Sequence, residues 1–180
     1  MKCHTFAMHK YLKSIIMAYT KLIYHIVLRT YQSKPTISED HERDLYAYIY
    51  YFCRNHDCKV YRINGMPDHV HICISIHPTI AVASFVHDLK IATNNFMSSD
   101  RSRFPMFERW EQGYCALTYS ESEKDTVVQY IINQKNHHAR RSTRHELILL
   151  LSENGIDCSH LIDWYDSPHL LVPVRFRLVI

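Results

Sequence analysis

The pattern of apolar and polar positions predicts alternating strands and helices in the first half of the chain. Residues 24–31 (YHIVLRTY) are β-branched and aromatic with an alternating pattern, which predicts a strand. From residue 38 to about residue 55, apolar side chains recur every three or four positions, which predicts a helix with one buried face. Residues 59–64 and 69–76 have the composition of two further strands, and Gly65-Met66-Pro67 between them predicts a tight turn.

The second half of the pattern completes a mixed fold. Residues 79 to about 97 repeat the helical pattern, and residues 114–119 predict a fourth strand. The order β-α-β-β-α-β is the ferredoxin-like arrangement, so we predict an α+β fold: an antiparallel sheet with both helices on one face. Two C-terminal helices follow. The first is predicted from a capping box of Ser120 and Glu123 to about residue 138, and the second from Thr143 and Glu146 to near Gly155.

Composition limits the classes of protein that remain. A chain of 180 residues with 47% apolar residues predicts one compact domain, and a net charge of +3 permits a nucleic-acid partner without requiring one. With only three glycines there is no glycine-rich phosphate loop, which excludes P-loop nucleotidases and dinucleotide-binding enzymes. The six cysteines form no C-x-x-C pair, so we expect reduced thiols. No apolar run approaches bilayer length, and we expect a cytoplasmic protein without membrane contact.

A His-x-His sequence lies in the predicted third strand. Period-two alternation puts His69 and His71 on one face and Val70 and Ile72 on the other. If both helices cover the apolar face, the imidazoles project together from the uncovered face, with Cα atoms about 7 Å apart, and can share one cation. The alternative stays open at this point, because a chain with 14 histidines contains His-x-His by chance about once.

A tyrosine and a glutamine share one side of the next predicted helix. Tyr130, Gln134 and His137 follow one another at i, i+4 and i+7, beside an apolar face. A tyrosine hydroxyl can attack a phosphodiester and keep the cut end as a phosphotyrosine, and Gln134 could complete a metal shell through its amide oxygen. Tyr130 is also one of 13 tyrosines, most of which serve packing, and that interpretation remains open on the spacing alone.

Three segments in order resemble a known family. They are NGMPDHVHICISI (64–76), FERWEQGYCALTYS (107–120) and VVQYIINQKNHH (127–138). They are similar to the single-tyrosine HUH transposases of small insertion sequences, which are close to the REP-associated tyrosine transposases. The resemblance implies an HUH transposase domain over residues 17–155, an N-terminal extension over residues 1–16 and a C-terminal tail over residues 156–180.

The resemblance also implies an activity and a site. It predicts a metal-dependent endonuclease and strand transferase that acts on single-stranded DNA hairpins at element ends. His69, His71 and Gln134 would bind Mg²⁺ or Mn²⁺, and Tyr130 would form a 5′-phosphotyrosine. The resemblance also implies a homodimer with composite active sites, because family members act as dimers in which the tyrosine helix of one subunit often completes the metal site of the other. Coordination chemistry adds that two imidazoles suit Mn²⁺ or Zn²⁺ better than Mg²⁺, which prefers oxygen ligands.

Candidate DNA contacts and competing functions complete the prediction. Basic side chains that could contact phosphates are Lys90, Arg101, Arg103, Lys135, Arg140, Arg141 and Arg144. Trp110 and Tyr114 could stack on unpaired bases or pack in the core. One alternative is a domesticated or inactive hairpin-binding protein. Another is a rolling-circle replication initiator or relaxase of the wider HUH class; initiators commonly carry lysine three residues after the tyrosine, where this chain has Asn133.

Overall fold

The chain folds into two compact units, the first ending at Lys135 and the second beginning at Asn136. This computed structural model describes residues 19–138 and 142–158. Within those ranges the first unit contains β1 (Ile23–Arg29), α1 (Glu42–Asn55), β2 (Lys59–Met66), β3 (His69–Ser75), α2 (Val82–Ser99), β4 (Cys115–Tyr119) and α3 (Lys124–Ile132). Helix α4 (Gln134–His138) begins at the end of this unit, and α5 (Thr143–Glu153) lies in the second. The predicted extension over residues 1–16 and the tail beyond residue 158 lie outside the described residues.

The sheet confirms the predicted ferredoxin-like order. Its strands lie in the sequence β2-β3-β1-β4, and every neighbouring pair is antiparallel. Strand β3 is therefore central, with Val27 of β1 opposite His71 on one side and Asn64 of β2 opposite it on the other. A central strand is held by hydrogen bonds along both edges, so its side chains occupy well-defined positions.

The main core lies between the sheet and the first two helices. Val70, Ile72 and Ile74 of β3 point into it and are fully buried. Helix α1 contributes Leu45, Ile49 and Cys53, and α2 contributes Phe85, Val86, Leu89 and Met97. All of them except Met97 are apolar positions whose helical spacing predicted the two helices. Full burial of each Val, Leu, Ile, Phe or Met side chain among them stabilises the fold by about 1.5–3 kcal/mol.

The opposite face of the sheet differs from the prediction, because it is not open. Helix α3 lies across it, and Val127 and Ile131 pack on Ile23 of β1 and Cys73 of β3. The apolar positions of α3 need a partner, and the side of the sheet left by α1 and α2 supplies one. His69 and His71 project from the predicted face, and both are buried there.

The helix predicted from Ser120 to about residue 138 is interrupted. Ser120 donates from its backbone N–H and its hydroxyl to the Glu123 carboxylate, at 2.9 and 2.6 Å. Helix α3 nevertheless begins at Lys124, and its N-cap is Glu123, three residues after the predicted cap. The helix ends at Ile132, and Asn133 has non-helical dihedral angles of φ −88° and ψ 11°. Asparagine has a low helix propensity, which makes this a suitable place for a break. Gln134 then starts α4.

The turn between β2 and β3 lies later than the predicted Gly65-Met66-Pro67. The chain turns at Pro67 and Asp68, and Gly65 is part of β2. A Cβ atom on Gly65 would stand 2.2 Å from the backbone oxygen of His69. Glycine is required here by the close approach of two strands, so its role is packing and not turning.

The second unit contains the predicted last helix with a different cap. Helix α5 spans Thr143–Glu153, and its N-cap is Ser142, whose hydroxyl accepts from the N–H of His145. The cap was predicted at Thr143, one residue too late. Gly155 follows the helix with φ +70°, a conformation that favours glycine after a helix end. Among the described residues no helix is long and apolar enough to cross a membrane.

Candidate metal and nucleophile site

Two neighbouring imidazoles form the centre of the candidate site. His69 and His71 are 0% and 1% exposed, and their ring centroids lie 4.8 Å apart in an edge-to-face arrangement. Both point away from the main core, as alternation along β3 predicts, because Val70 and Ile72 take the core side. Two side chains at i and i+2 of a central strand thus present their nitrogens to one small region.

Each imidazole is oriented through its Nδ1 atom. Nδ1 of His69 lies 2.8 Å from a carboxylate oxygen of Asp68, and Nδ1 of His71 lies 2.8 Å from Nε2 of His25. A ring nitrogen engaged in this way fixes the ring plane and leaves Nε2 as the atom that would bind a cation. The donor set therefore fits a divalent metal: two imidazole Nε2 atoms, each supported by a hydrogen-bonding partner.

His25 is a site residue that the sequence analysis missed. It lies on β1, 1% exposed, on the same side of the sheet as Ile23. Its position could have been predicted from the sequence, because the ferredoxin-like order makes β1 the neighbour of β3. Alternation on β1 puts His25 on the face opposite to Ile26 and Leu28, which belong to the main core. A search for polar residues on that face of both strands would have found it.

Tyr130 lies beside these histidines in the same chain. Its ring centroid is 6.0 Å from that of His71 and 5.9 Å from that of His25, and both contacts are edge-on. The ring is half-buried, whereas the two imidazoles are fully buried. Helix α3 holds the tyrosine there through Val127 and Ile131, which pack on the same face of the sheet. A phenol and two potential ligand imidazoles are thus grouped within one protomer.

Gln134, the predicted third ligand, follows Tyr130 across the break in the helix. Gln134 is the first residue of α4, and although it is polar, it is completely buried, at 0% exposure. A buried amide needs hydrogen-bonding or coordinating partners to offset its desolvation. Its amide oxygen is a suitable ligand to combine with two imidazoles around a first-row divalent cation.

Two of the predicted phosphate contacts serve the loop before β4. Nζ of Lys90 donates to the backbone oxygens of Glu111, Gln112 and Gly113 at 2.9, 3.0 and 2.7 Å, and burial lowers the pKa of Lys90. The guanidinium of Arg101 donates to the carbonyl of Phe107. Both cations therefore fix the backbone of this loop, whatever further contacts they make.

The other predicted basic residues make internal ion pairs or lie elsewhere. Arg103 bonds to Asp44 at 3.0 Å and to Asp100 at 2.7 Å. Lys135 donates to Glu42 at 2.8 Å, and this contact raises the pKa of Lys135. Arg144 is on α5 in the second unit. Arg140 and Arg141 lie outside the described residues. As DNA contacts, all seven basic residues stay predictions.

The two aromatic candidates have different environments. Trp110 is buried, and its indole N–H donates to the hydroxyl of Thr93 at 2.8 Å, so it packs in the core. Tyr114 is 43% exposed, with the ammonium of Lys90 5.6 Å from its ring centroid. Of the two, Tyr114 is the exposed side chain.

The sequence matches the family described as "Transposase IS200 like" over residues 18–134. A curated relative, the ISDra2 transposase TnpA of Deinococcus radiodurans, is 32% identical over 80 residues, which cover 42% of this chain. That alignment spans 57% of the relative's length. The matched family region includes both histidines, Tyr130 and Gln134.

Two solved structures share the fold. One is a crystal structure of a protein of Deinococcus radiodurans R1 described as a transposase, with a TM-score of 0.51 and 24% identity over 65% of this chain and 94% of that chain. The other is a REP-associated tyrosine transposase bound to a REP hairpin, with a TM-score of 0.51 and 12% identity over 92% of this chain and 99% of that chain.

Proposed function

The chain belongs to the IS200-like transposase family, and from that premise we propose that it is a DNA transposase that cleaves and rejoins single-stranded DNA with Tyr130 as nucleophile. The single observation that carries the proposal is the position of the Tyr130 ring, 6.0 Å from the ring of His71 and in the same chain. In this proposal His69 and His71 of β3 are cation ligands and Tyr130 of α3 is the nucleophile.

The proposed cleavage step is a transesterification. The Tyr130 oxygen attacks the phosphorus atom, a bond forms between them, and the bond from phosphorus to the 3′ oxygen breaks. The phenol releases its proton and the departing 3′ oxygen gains one, so a 5′-phosphotyrosine and a free 3′-hydroxyl remain. Rejoining reverses these changes when a 3′-hydroxyl attacks the phosphotyrosine. Because one ester replaces another in each step, no external energy source is needed.

A divalent cation is part of this proposal. Nε2 of His69, Nε2 of His71 and the amide oxygen of Gln134 would hold it, and when bound it would polarise the phosphate and reduce its negative charge. Mg²⁺ and Mn²⁺ are the proposed ions, and the two nitrogen ligands favour Mn²⁺ on chemical grounds. Burial of both imidazoles supports strong ligand interactions, since little water competes for them.

The proposed substrate is single-stranded DNA that carries a hairpin. A REP hairpin is bound by the structural relative, and the fold shared with this chain supports a similar ligand. The proposed phosphate contacts are the basic residues named above. We also include a homodimer in the proposal. Within one chain Tyr130 already lies beside His71, so a composite site would require two protomers to exchange their α3 helices.

A covalent-capture experiment tests the proposal. The purified protein is incubated with Mg²⁺ or Mn²⁺ and end-labelled single-stranded oligonucleotides, each carrying an imperfect hairpin with randomised flanks. We expect a protein–DNA adduct that resists denaturation, with the attached phosphate on a peptide that contains Tyr130.

The control variant for this experiment is Tyr130→Phe, which retains the ring and its packing. It should form no adduct and should bind hairpins within a few-fold of the wild type. An adduct that persists in this variant would identify another nucleophile. Hairpin binding without any adduct in the wild-type protein would favour the inactive, DNA-binding alternative.

A further inference from the structure

The side chain of Asn64 links the sheet to the end of helix α3. Its amide nitrogen donates to the backbone oxygen of Ile131 at 2.8 Å and to that of Ile132 at 3.2 Å. Asn64 is 67 and 68 residues away from these partners along the chain, so these bonds join two distant segments. Ile131 and Ile132 are the first and second residues after Tyr130, at the point where the helix ends.

The break in the helix explains why these carbonyls need a donor. The last carbonyls of a helix have no N–H four residues ahead to bond. Here the N–H of Asn133 donates to Gln129 at 3.1 Å and also contacts the carbonyl of Ile131, and the backbone then leaves helical geometry. The next carbonyls after Gln129 belong to the last turn of α3. Asn64 supplies a side-chain donor to two of them, the carbonyls of Ile131 and Ile132, at the point where α3 ends.

Asn64 is also joined to the candidate metal ligands. In the pairing of β2 with β3 it lies opposite His71. One residue therefore has its backbone beside a predicted ligand and its amide on the helix of the predicted nucleophile. The hydrophobic contacts of Val127 and Ile131 hold α3 on the sheet, but apolar contacts tolerate sliding. Two directed hydrogen bonds at the end of the helix fix its position along the sheet.

We propose that Asn64 is a positioning residue for Tyr130, which holds the end of α3 so that the phenol stays beside His71. This inference rests on the proposed function. Asn64 acts through the backbone of α3 and does not touch the reacting atoms. A displacement of about 1 Å between a nucleophile and the bound phosphate can reduce a rate by about a hundredfold, so a modest shift of α3 would be measurable.

The test compares Asn64→Ala, Asn64→Asp and Asn64→Gln. Alanine removes the donor, and aspartate keeps the size but presents carboxylate oxygens to two carbonyl oxygens. Glutamine retains an N–H donor on a longer chain. Asn95→Ala is the matched control, because Asn95 is exposed on α2, which packs on the other face of the sheet.

The first readout is the rate of adduct formation at saturating hairpin oligonucleotide with Mn²⁺. We expect a loss of about 10- to 100-fold in Asn64→Ala, a larger loss in Asn64→Asp and a partial recovery in Asn64→Gln. Affinity for the oligonucleotide should stay within threefold of the wild type, because none of the basic side chains that are proposed to contact it is altered. Rates within twofold of the wild type in both Asn64→Ala and Asn64→Asp would overturn the proposal.

The second readout does not depend on activity. Amide hydrogen exchange in α3 should increase at least tenfold in Asn64→Ala, while exchange in β1 and β3 stays unchanged. If the wild-type protein forms no adduct, the proposed function fails. If hydrogen exchange in α3 is the same in Asn64→Ala and the wild type, Asn64 does not hold the end of α3 and this inference fails as well. If the alanine variant also loses protection in the sheet, Asn64→Gln replaces it. In that variant, a wild-type rate combined with increased exchange in α3 would contradict the inference.

Discussion

Nε2 of His25 lies 2.8 Å from Nδ1 of His71, so a predicted metal ligand is oriented by a second histidine on the neighbouring strand. The other predicted ligand, His69, has the carboxylate of Asp68 in the equivalent position. The two imidazoles are therefore supported by chemically different acceptors, the unprotonated Nε2 of a neutral imidazole for His71 and a carboxylate for His69. When a histidine binds a metal through Nε2, its Nδ1 keeps the proton and donates it to such a partner.

We predict that His25→Ala lowers the affinity for Mn²⁺ by about 10- to 100-fold, the range found when an outer-shell partner of a ligand is removed. The measurement is Mn²⁺ titration followed by electron paramagnetic resonance. The Mn²⁺ affinity of His25→Gln should lie between those of His25→Ala and the wild type, since the glutamine amide oxygen can accept from His71. His87→Ala is the control, because His87 is exposed on α2. Equal affinities in wild type and His25→Ala would exclude this supporting role.

The parts of the site that depend on local spacing were predictable from the sequence. Alternation in β3 identified the shared face of His69 and His71, and helical spacing identified Tyr130 as a neighbour of an apolar face. The order of strands and helices identified the sheet. Each of these features is a periodicity, and side-chain direction follows directly from it.

The remaining features depend on which surfaces meet, and one strand or helix alone does not contain that information. The contact that covers His71 depends on α3 lying across the sheet, since Tyr130 of that helix packs against the His71 ring. The position of His25 beside His71 depends on the pairing of β1 with β3. The break after Ile132 involves Asn64, whose partners are more than 60 residues away in the chain. A prediction of these features requires the tertiary arrangement first.

Gly65→Ala should destabilise the protein by about 1–3 kcal/mol, the usual cost of an inserted methyl group in a packed region. The added Cβ would stand 2.2 Å from the backbone oxygen of His69, so β2 and β3 must separate locally. Gly113→Ala is the matched control, because no atom lies within 4 Å of a Cβ at that position. Its effect should be within about 0.5 kcal/mol.

Denaturant unfolding of both glycine variants gives the measurement. Separation of β2 from β3 would also displace His69, a predicted ligand. Gly65→Ala should therefore weaken Mn²⁺ binding, and Gly113→Ala should leave it unchanged. If the two variants unfold at the same denaturant concentration, the close approach of β2 to β3 at Gly65 is wrong.

The buried thiol of Cys53 should make the protein less stable at alkaline pH. Burial raises the pKa of Cys53 from 9.0 to about 12. Between these values the unfolded chain has lost the thiol proton and the folded chain has kept it, so the free energy of unfolding falls as pH rises above about 9. The contribution of one such thiol is at most about 1.4 kcal/mol per pH unit.

Cys53→Ala tests this assignment. The variant lacks the titrating group, so its stability should fall less steeply between pH 9 and pH 11 than that of the wild type, although a small cavity lowers its stability at pH 7. The slopes are compared by denaturant unfolding at each pH under reducing conditions. Identical alkaline slopes in the two proteins would mean that Cys53 does not control this pH dependence.

The contact between Tyr130 and His71 of one chain predicts the outcome of a mixing experiment with two inactive variants. His69→Ala keeps the tyrosine and lacks a predicted ligand, whereas Tyr130→Phe keeps both histidines and lacks the nucleophile. If each protomer uses its own tyrosine, no complete site exists in any mixed dimer, and we predict that equal amounts of the two variants form no adduct. If tyrosines are exchanged between protomers, half of the dimers are mixed and one of their two sites is complete, which restores about one quarter of the wild-type sites. The control is sedimentation of the same mixture at micromolar concentration. If dimers are present and no adduct forms, each active site is contained within one chain.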